Sequence, residues 1–341
     1  MKAVQISHAQ QARTVSLQDP GAPGKGEVLL KMMYVGFCGS DLNTFLGRNS
    51  MALDPVIPGH EAGAVIEAVG EGVPDHLRPG MTVTVNPYTS CGHCSSCRNH
   101  RYNACRSNET LGVQRDGIMR ERAVLPWEKV IPAGNLDTRT CALVEPMSVG
   151  FHAVDRAMVT DSDIVMVIGC GMVGMGAVVR SVLRGATVIA ADVDPQKLAL
   201  AASMGAAYTI DTLKEDVHAR LAEITAGHGP DVVVEAAGSA PTYQMALREV
   251  AFTGRLACIG YAPGEVALEP RLIVQKELDV RGSRNALPED FRAVIHYLEH
   301  TKSPVSAFIT KIIRPDEAYD TLRWWSEHHG EVFRILVDFS G

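Results

Sequence analysis

The rhythm of apolar and polar positions changes near the middle of the chain. Up to about residue 150, short extended runs at 27–34, 63–69, 81–86 and 122–124 are separated by turn signals such as Pro58-Gly59 and Pro79-Gly80. This texture predicts an irregular all-β unit, a small barrel. From about residue 160, strand-like runs at 164–168, 187–191, 208–210, 232–235 and 255–259 alternate with helical stretches reaching Arg184 and spanning 195–204, 213–226 and 242–250. That alternation predicts a right-handed, doubly wound parallel sheet, so the fold class is α/β. The tail reads as an amphipathic helix at 289–300, an extended piece at 308–313, a helix opening at Pro315-Asp316, and a strand at 333–339 able to complete either unit.

Composition agrees with two cores. The 341 residues exceed one ordinary domain, and 46% of them are hydrophobic while 31 are glycine. With 32 basic against 39 acidic side chains the net charge is −7, without a long run of one sign, which disfavours nucleic acid or an anionic membrane surface as partner. A small molecule is expected instead. No apolar run follows Lys2, so no signal peptide is expected. The longest uncharged apolar stretch, 164–179, is broken by four glycines and is shorter than the ~20 residues a spanning helix needs. The expected compartment is therefore the cytoplasm, where clustered cysteines hold metal more often than they form disulfides.

Gly169-Cys170-Gly171-Met172-Val173-Gly174 follows one strand and opens a helix, the context of a dinucleotide fingerprint. There the glycines permit a tight turn and close approach of the backbone to a pyrophosphate at a helix N-terminus. Asp192, eighteen residues beyond Gly174, stands where a carboxylate would accept from the ribose hydroxyls and repel a 2′-phosphate, favouring NAD over NADP. Alternatively Asp192 or Asp194 only caps the helix beginning at Pro195, a task for which Asp194 is the better placed.

Two groups of residues have the chemistry of metal ligands. Cys91, Cys94, Cys97 and Cys105 set four thiols within fifteen residues, the pattern of a closed structural zinc site. A pair of disulfides and an iron–sulfur cluster are the competing readings. The second group is scattered: Cys38, His60 with Glu61, and Glu145. Singly each has an ordinary packing role; together they suit a zinc site that keeps one position open for water or substrate.

Five separated motifs now stand in one order: Cys38-Gly39-Ser40-Asp41, Gly59-His60-Glu61, the four-cysteine lobe, Glu145 to Val149, and the glycine fingerprint. In that order the chain resembles, over essentially its whole length, the zinc-dependent medium-chain alcohol and polyol dehydrogenases. A carboxylate at 145, where the liver-type alcohol dehydrogenases carry a cysteine, resembles the sorbitol dehydrogenase branch. The runs GSRN at 282–285 and PEDF at 288–291 are similar to sugar-acid 5-dehydrogenases of the L-galactonate or L-gulonate type.

The resemblance implies a GroES-like β-barrel catalytic domain from residues 1–150, completed by 286–341, and a Rossmann NAD-binding domain from 151–285. It implies two zinc ions per subunit, one structural and one catalytic, the latter on Cys38, His60 and Glu145 with Glu61 able to bind directly or through water. Beyond Gly169, Gly171, Met172, Val173, Gly174 and Asp192, the cofactor set extends to Lys197, Gly238, Gly260 and Ser283. Ser40 takes the family position of the hydroxyl that carries the substrate proton away, its other reading being a turn residue. Many relatives continue that relay with a histidine three residues on; Asn43 stands there and cannot titrate, so water is the expected substitute. Arg284 and Asn285 either grip a substrate carboxylate or hydroxyls or simply end a strand near the cofactor or a subunit contact. The expected activity is hydride transfer from a secondary alcohol of a polyol or sugar acid to NAD, in a homodimer or homotetramer. A threonine or simple secondary-alcohol dehydrogenase is the enzyme alternative, and a zinc-stabilised NAD-binding regulator the non-enzyme one.

Overall fold

The computed structural model describes residues 1–8, 10–301 and 304–341. The chain divides into two compact units, one of Met1–Glu145 with Leu287–Gly341 and the other of Pro146–Ala286.

The first unit is built around the strand Glu27–Phe37, whose apolar side chains are buried along most of its length. One edge of this strand pairs antiparallel with Glu61–Val69. Its other edge is shared: residues 27–31 pair with Arg122–Pro126, and residues 34–37 pair with Arg334–Asp338. The tail strand also runs parallel to Ile309–Ile313, so the chain's last elements complete the same seven-stranded sheet. Phe37, Leu30, Met32 and Ile66 are fully buried in one cluster with Ile6. Truncating Phe37 to alanine there would cost roughly 3–5 kcal/mol.

Three elements depart from the sequence reading in this unit. A separate hairpin of Lys2–Ser7 and Gln11–Ser16 forms from runs too polar to signal strands. The helix Gly39–Phe45 opens directly after the central strand, its first turn held by Asp41, whose carboxylate accepts from the Cys38 amide at 2.8 Å. At Pro315, a short 3₁₀ turn, Pro315–Glu317, leads into the helix Ala318–Glu327.

The second unit is a six-stranded parallel sheet. Numbered within the sheet by chain order, its strands Ile164–Ile168, Thr187–Asp192, Tyr208–Asp211, Val232–Glu235, Arg255–Cys258 and Asp279–Gly282 lie 3-2-1-4-5-6. The order reverses between the first and fourth strands, which is where doubly wound sheets open a ligand crevice at the carboxyl ends. The interior strands are near-continuous Val, Ile and Ala because both faces are covered. The sixth strand, reading D-V-R-G, is a largely exposed edge and carries no apolar run to announce it. The helix expected at 213–226 spans Val217–Ile224, starting where Asp216 accepts from the Ala219 amide. Among the described residues, no helix is long and apolar enough to cross a membrane.

Candidate functional site

In the first unit the strand register gathers residues far apart in sequence. Gly36 lies opposite Glu61, and Phe37 opposite Ile335, next to Arg334. A Cβ on Gly36 would run into the Glu61 carboxylate, so glycine there leaves the room that Glu61 occupies. Cys38, at the strand's exit, His60, just before the strand Glu61–Val69, and Glu61 bring one donor atom each within 4.8 Å of one another. Glu61 Oε1 is 3.0 Å from Nη1 of Arg334, which also donates to the Phe37 carbonyl at 2.8 Å. Both partners of that ion pair are buried.

Glu145, in the first turn of the helix Val144–Arg156, is buried as well but stands apart from this trio of converging donors. Its Oε1 accepts a short hydrogen bond from the Tyr88 hydroxyl. Tyr88 carried no signal in the sequence, since a tyrosine 57 residues upstream of a carboxylate announces nothing without the fold.

The electrostatics of the cluster call for a cation. Burial pushes the Cys38 thiol up, but the hydrogen bond with His60 and the charges of His60 and Arg334 outweigh it and bring the thiol down to about 7. Burial works against a charged His60, yet the bond to Cys38 and the negative charges of Cys38, Glu145 and Asp41 hold the imidazole well above its ordinary range. Burial drives the Glu61 carboxyl well above the carboxylate range despite Arg334. Cys38, Asp41, Glu61 and Glu145 are thus four potential anions facing one permanent cation, Arg334. His60 Nδ1 and Glu61 Oε2 are buried without a hydrogen-bond partner. A thiolate, an imidazole and a carboxylate converging with such orphaned atoms fit a zinc ion.

The four-cysteine lobe fits a second. Its four sulfurs lie within 4.8 Å of one another, and Cys94 Sγ is 3.6 Å from that of Cys97 and 3.9 Å from that of Cys105. Sulfurs bound tetrahedrally at ~2.3 Å would stand about 3.8 Å apart. None of the four is joined in a disulfide, against the disulfide reading. Amides of Arg106 and Cys97 aimed at Cys94 bring its thiol down to about 6, whereas burial pushes the Cys97 thiol up to about 11. Cys141, Cys170 and Cys258 are also free, the first two buried.

In the second unit the glycine fingerprint sits at the switch point of the sheet. Gly169 has φ +89°, a left-handed conformation, and a Cβ there would meet Ala237 N at 2.9 Å, on the turn after the fourth strand. A Cβ on Gly174 would collide with the Gly169 carbonyl, so that glycine sets the approach of the helix Met172–Leu183. At Gly171, the N-cap of that helix, a Cβ would meet nothing within 4 Å, so the helix N-terminus is open on that side. Met172 and Val173 begin the helix itself.

Asp192 closes the second strand with both oxygens engaged, Oδ2 by the Cys170 amide at 2.6 Å and Oδ1 by the Asp194 amide at 2.9 Å. Asp194 is the cap of the helix Pro195–Ser203, accepting from Gln196 N at 2.8 Å. Lys197 is half-buried on that helix. Gly238 (φ +71°) and Gly260 face each other closely, a Cβ on either meeting the other's turn. Ser283, buried after the sixth strand, has an unpartnered Oγ. Arg284 and Asn285 follow, half-buried, with Asn285 at φ +55°.

A converging Cys–His–carboxylate cluster in one unit and a doubly wound sheet with a glycine fingerprint in the other define a zinc-type, dinucleotide-dependent oxidoreductase. Residues 24–135 match the alcohol dehydrogenase GroES-like domain and residues 173–300 the zinc-binding dehydrogenase domain. The chain is 32% identical over 346 residues to sorbitol dehydrogenase of Halalkalibacterium halodurans, with 99% of each chain covered. It is 31% identical over 288 residues to L-galactonate-5-dehydrogenase of Escherichia coli, with 84% of each covered. The crystal structure of an alcohol dehydrogenase from E. coli CFT073, complexed with NADH, superposes with a TM-score of 0.89 at 28% identity, covering 99% of both chains. The chain belongs to the zinc-containing medium-chain alcohol dehydrogenase family. It is a zinc-type, NAD-dependent alcohol/polyol dehydrogenase acting on CH–OH donors, with NAD(H) and zinc as cofactors.

Proposed function

We propose that the chain oxidises a secondary alcohol of a polyol or sugar acid to the ketone, with NAD rather than NADP accepting the hydride. Residues 1–150 with 286–341 act as the catalytic domain and residues 151–285 as the NAD-binding domain. The observation that carries the proposal is the convergence of half-buried Cys38 with buried His60 and Glu61, His60 Nδ1 and Glu61 Oε2 being unpartnered. A regulator that only bound NAD would have no use for such a site. The polyol and sugar-acid relatives support the substrate class.

Cys38, His60 and Glu61, with Glu145 beside them, would hold the zinc, whose Lewis acidity would make an alcohol proton easy to lose. The chain's own residues do the rest. Arg334 anchors Glu61 from behind, fixing where that carboxylate points. Ser40 Oγ, buried without a partner next to Cys38, is the acceptor for the substrate proton. Asn43 is exposed and has no titratable group, so water takes the proton beyond Ser40. Asp192 receives the ribose hydroxyls of NAD and repels a 2′-phosphate. Arg284 and Asn285 bind a substrate carboxylate or hydroxyl, and the chain works as a homodimer or homotetramer. The four cysteines 91, 94, 97 and 105 hold the structural zinc.

The test is a panel of hexitols, hexonates, threonine and simple secondary alcohols, each with NAD and with NADP, followed by NADH or NADPH absorbance. Turnover of a hexitol or hexonate with NAD is the expected outcome. Turnover of threonine alone, or of simple alcohols alone, overturns the substrate class.

A further inference from the structure

Tyr88 is buried at 5% exposure, and its hydroxyl meets Glu145 Oε1, itself on a carboxylate buried at 4%. The tyrosine is pinned at both ends. Its amide donates to Asn86 Oδ1 at 3.2 Å, its carbonyl accepts from Lys129 Nζ at 2.5 Å, and its ring packs edge-on against Phe291 with centroids 6.4 Å apart. A phenol buried in this way needs a hydrogen-bond partner, and Glu145 provides one.

This accounts for a division between the two glutamates. Glu61 is anchored by Arg334 and converges with Cys38 and His60, whereas Glu145 stands beside them, tied back by a phenol. Groups that orient a metal site's carboxylates from behind change metal affinity by about 10- to 100-fold when removed. We propose that Tyr88 is a positioning residue: its hydroxyl holds Glu145 in one orientation beside the Cys38–His60–Glu61 metal site. The inference rests on the assignment of that trio as the catalytic metal site.

The experiment is release of zinc from the purified, zinc-loaded protein to a chromophoric chelator, which separates the two zinc sites by rate. The catalytic phase is the one that disappears in Cys38→Ser. Tyr88→Phe is expected to speed that phase about tenfold or more while the four-cysteine phase, which also reports folding, keeps its rate. In a Glu145→Ala background, adding Tyr88→Phe is expected to change nothing, since the group it positions is gone. An unchanged catalytic phase in Tyr88→Phe, or an equally large effect of Tyr88→Phe with and without Glu145, overturns the proposal. If Cys38→Ser removes no phase, it is the metal-site assignment that fails.

Discussion

Replacing Asp192 by glycine tests the cofactor preference, and the structure sets the size of the effect. Each carboxylate oxygen already takes one amide, at 2.6 Å from Cys170 and 2.9 Å from Asp194. An ionised carboxylate has roughly four acceptor positions, so about two remain for the two ribose hydroxyls of the adenosine. A hydrogen bond to a charged group contributes about 1.5–3 kcal/mol, and about 1.4 kcal/mol is tenfold in rate. Losing even one such bond lowers kcat/KM for NAD by about 10- to 150-fold. With NADP the same substitution removes a repulsion against the 2′-phosphate, so its kcat/KM holds or rises. The NAD-to-NADP ratio should therefore fall by at least about tenfold. The variant also deprives the Cys170 amide of its acceptor, which costs stability of about 1–3 kcal/mol where water does not replace it. Steady-state kinetics with both cofactors, alongside thermal unfolding of the cofactor-free protein, separate the two effects. Loss of stability with an unchanged ratio would show that Asp192 braces the glycine loop and does not read the ribose.

Cys97→Ser should lose about one equivalent of zinc per chain and melt at a lower temperature, because a thiolate has been removed from a closed tetrahedral set. Unchanged zinc content by atomic absorption, with an unchanged melting temperature, refutes the structural site. Glu145→Ala should abolish turnover while cofactor binding, followed by NADH fluorescence, is retained; retained turnover removes Glu145 from the mechanism. Burial alone would raise the Asp155 carboxyl, but hydrogen bonds from Arg180 and Arg184 hold it below its ordinary value. A lowered carboxyl stabilises the fold above the unfolded-state value of ~3.9, and that contribution disappears as pH falls through the lower folded-state value. Asp155→Asn should therefore lower the melting temperature at neutral pH and converge with wild type below about pH 3; a constant gap down to that pH contradicts the ion-pair account.

The second unit was readable because its strands are buried on both faces, so Ile164–Ile168 and Val232–Glu235 appear as plain apolar runs between helices. Asp279–Gly282 has no such signature, because an exposed edge strand is under no such constraint. The residues that converge as candidate metal ligands, Cys38, His60 and Glu61, are legible from residue type and motif order, whereas their partners are not. Arg334 reaches Glu61 only because the tail strand pairs beside residues 34–37, a register that no local pattern encodes. Adjacent side chains in a strand point to opposite faces, so a regular strand through both His60 and Glu61 would separate them. Here the strand begins at Glu61, His60 lies outside it after Gly59 at φ +98°, and Gly36 leaves the space into which the Glu61 carboxylate folds. The choice of Glu61 as the carboxylate that meets Cys38 and His60 is therefore made by two glycines that bind no metal. The hydroxyl of Tyr88 makes the complementary choice for Glu145.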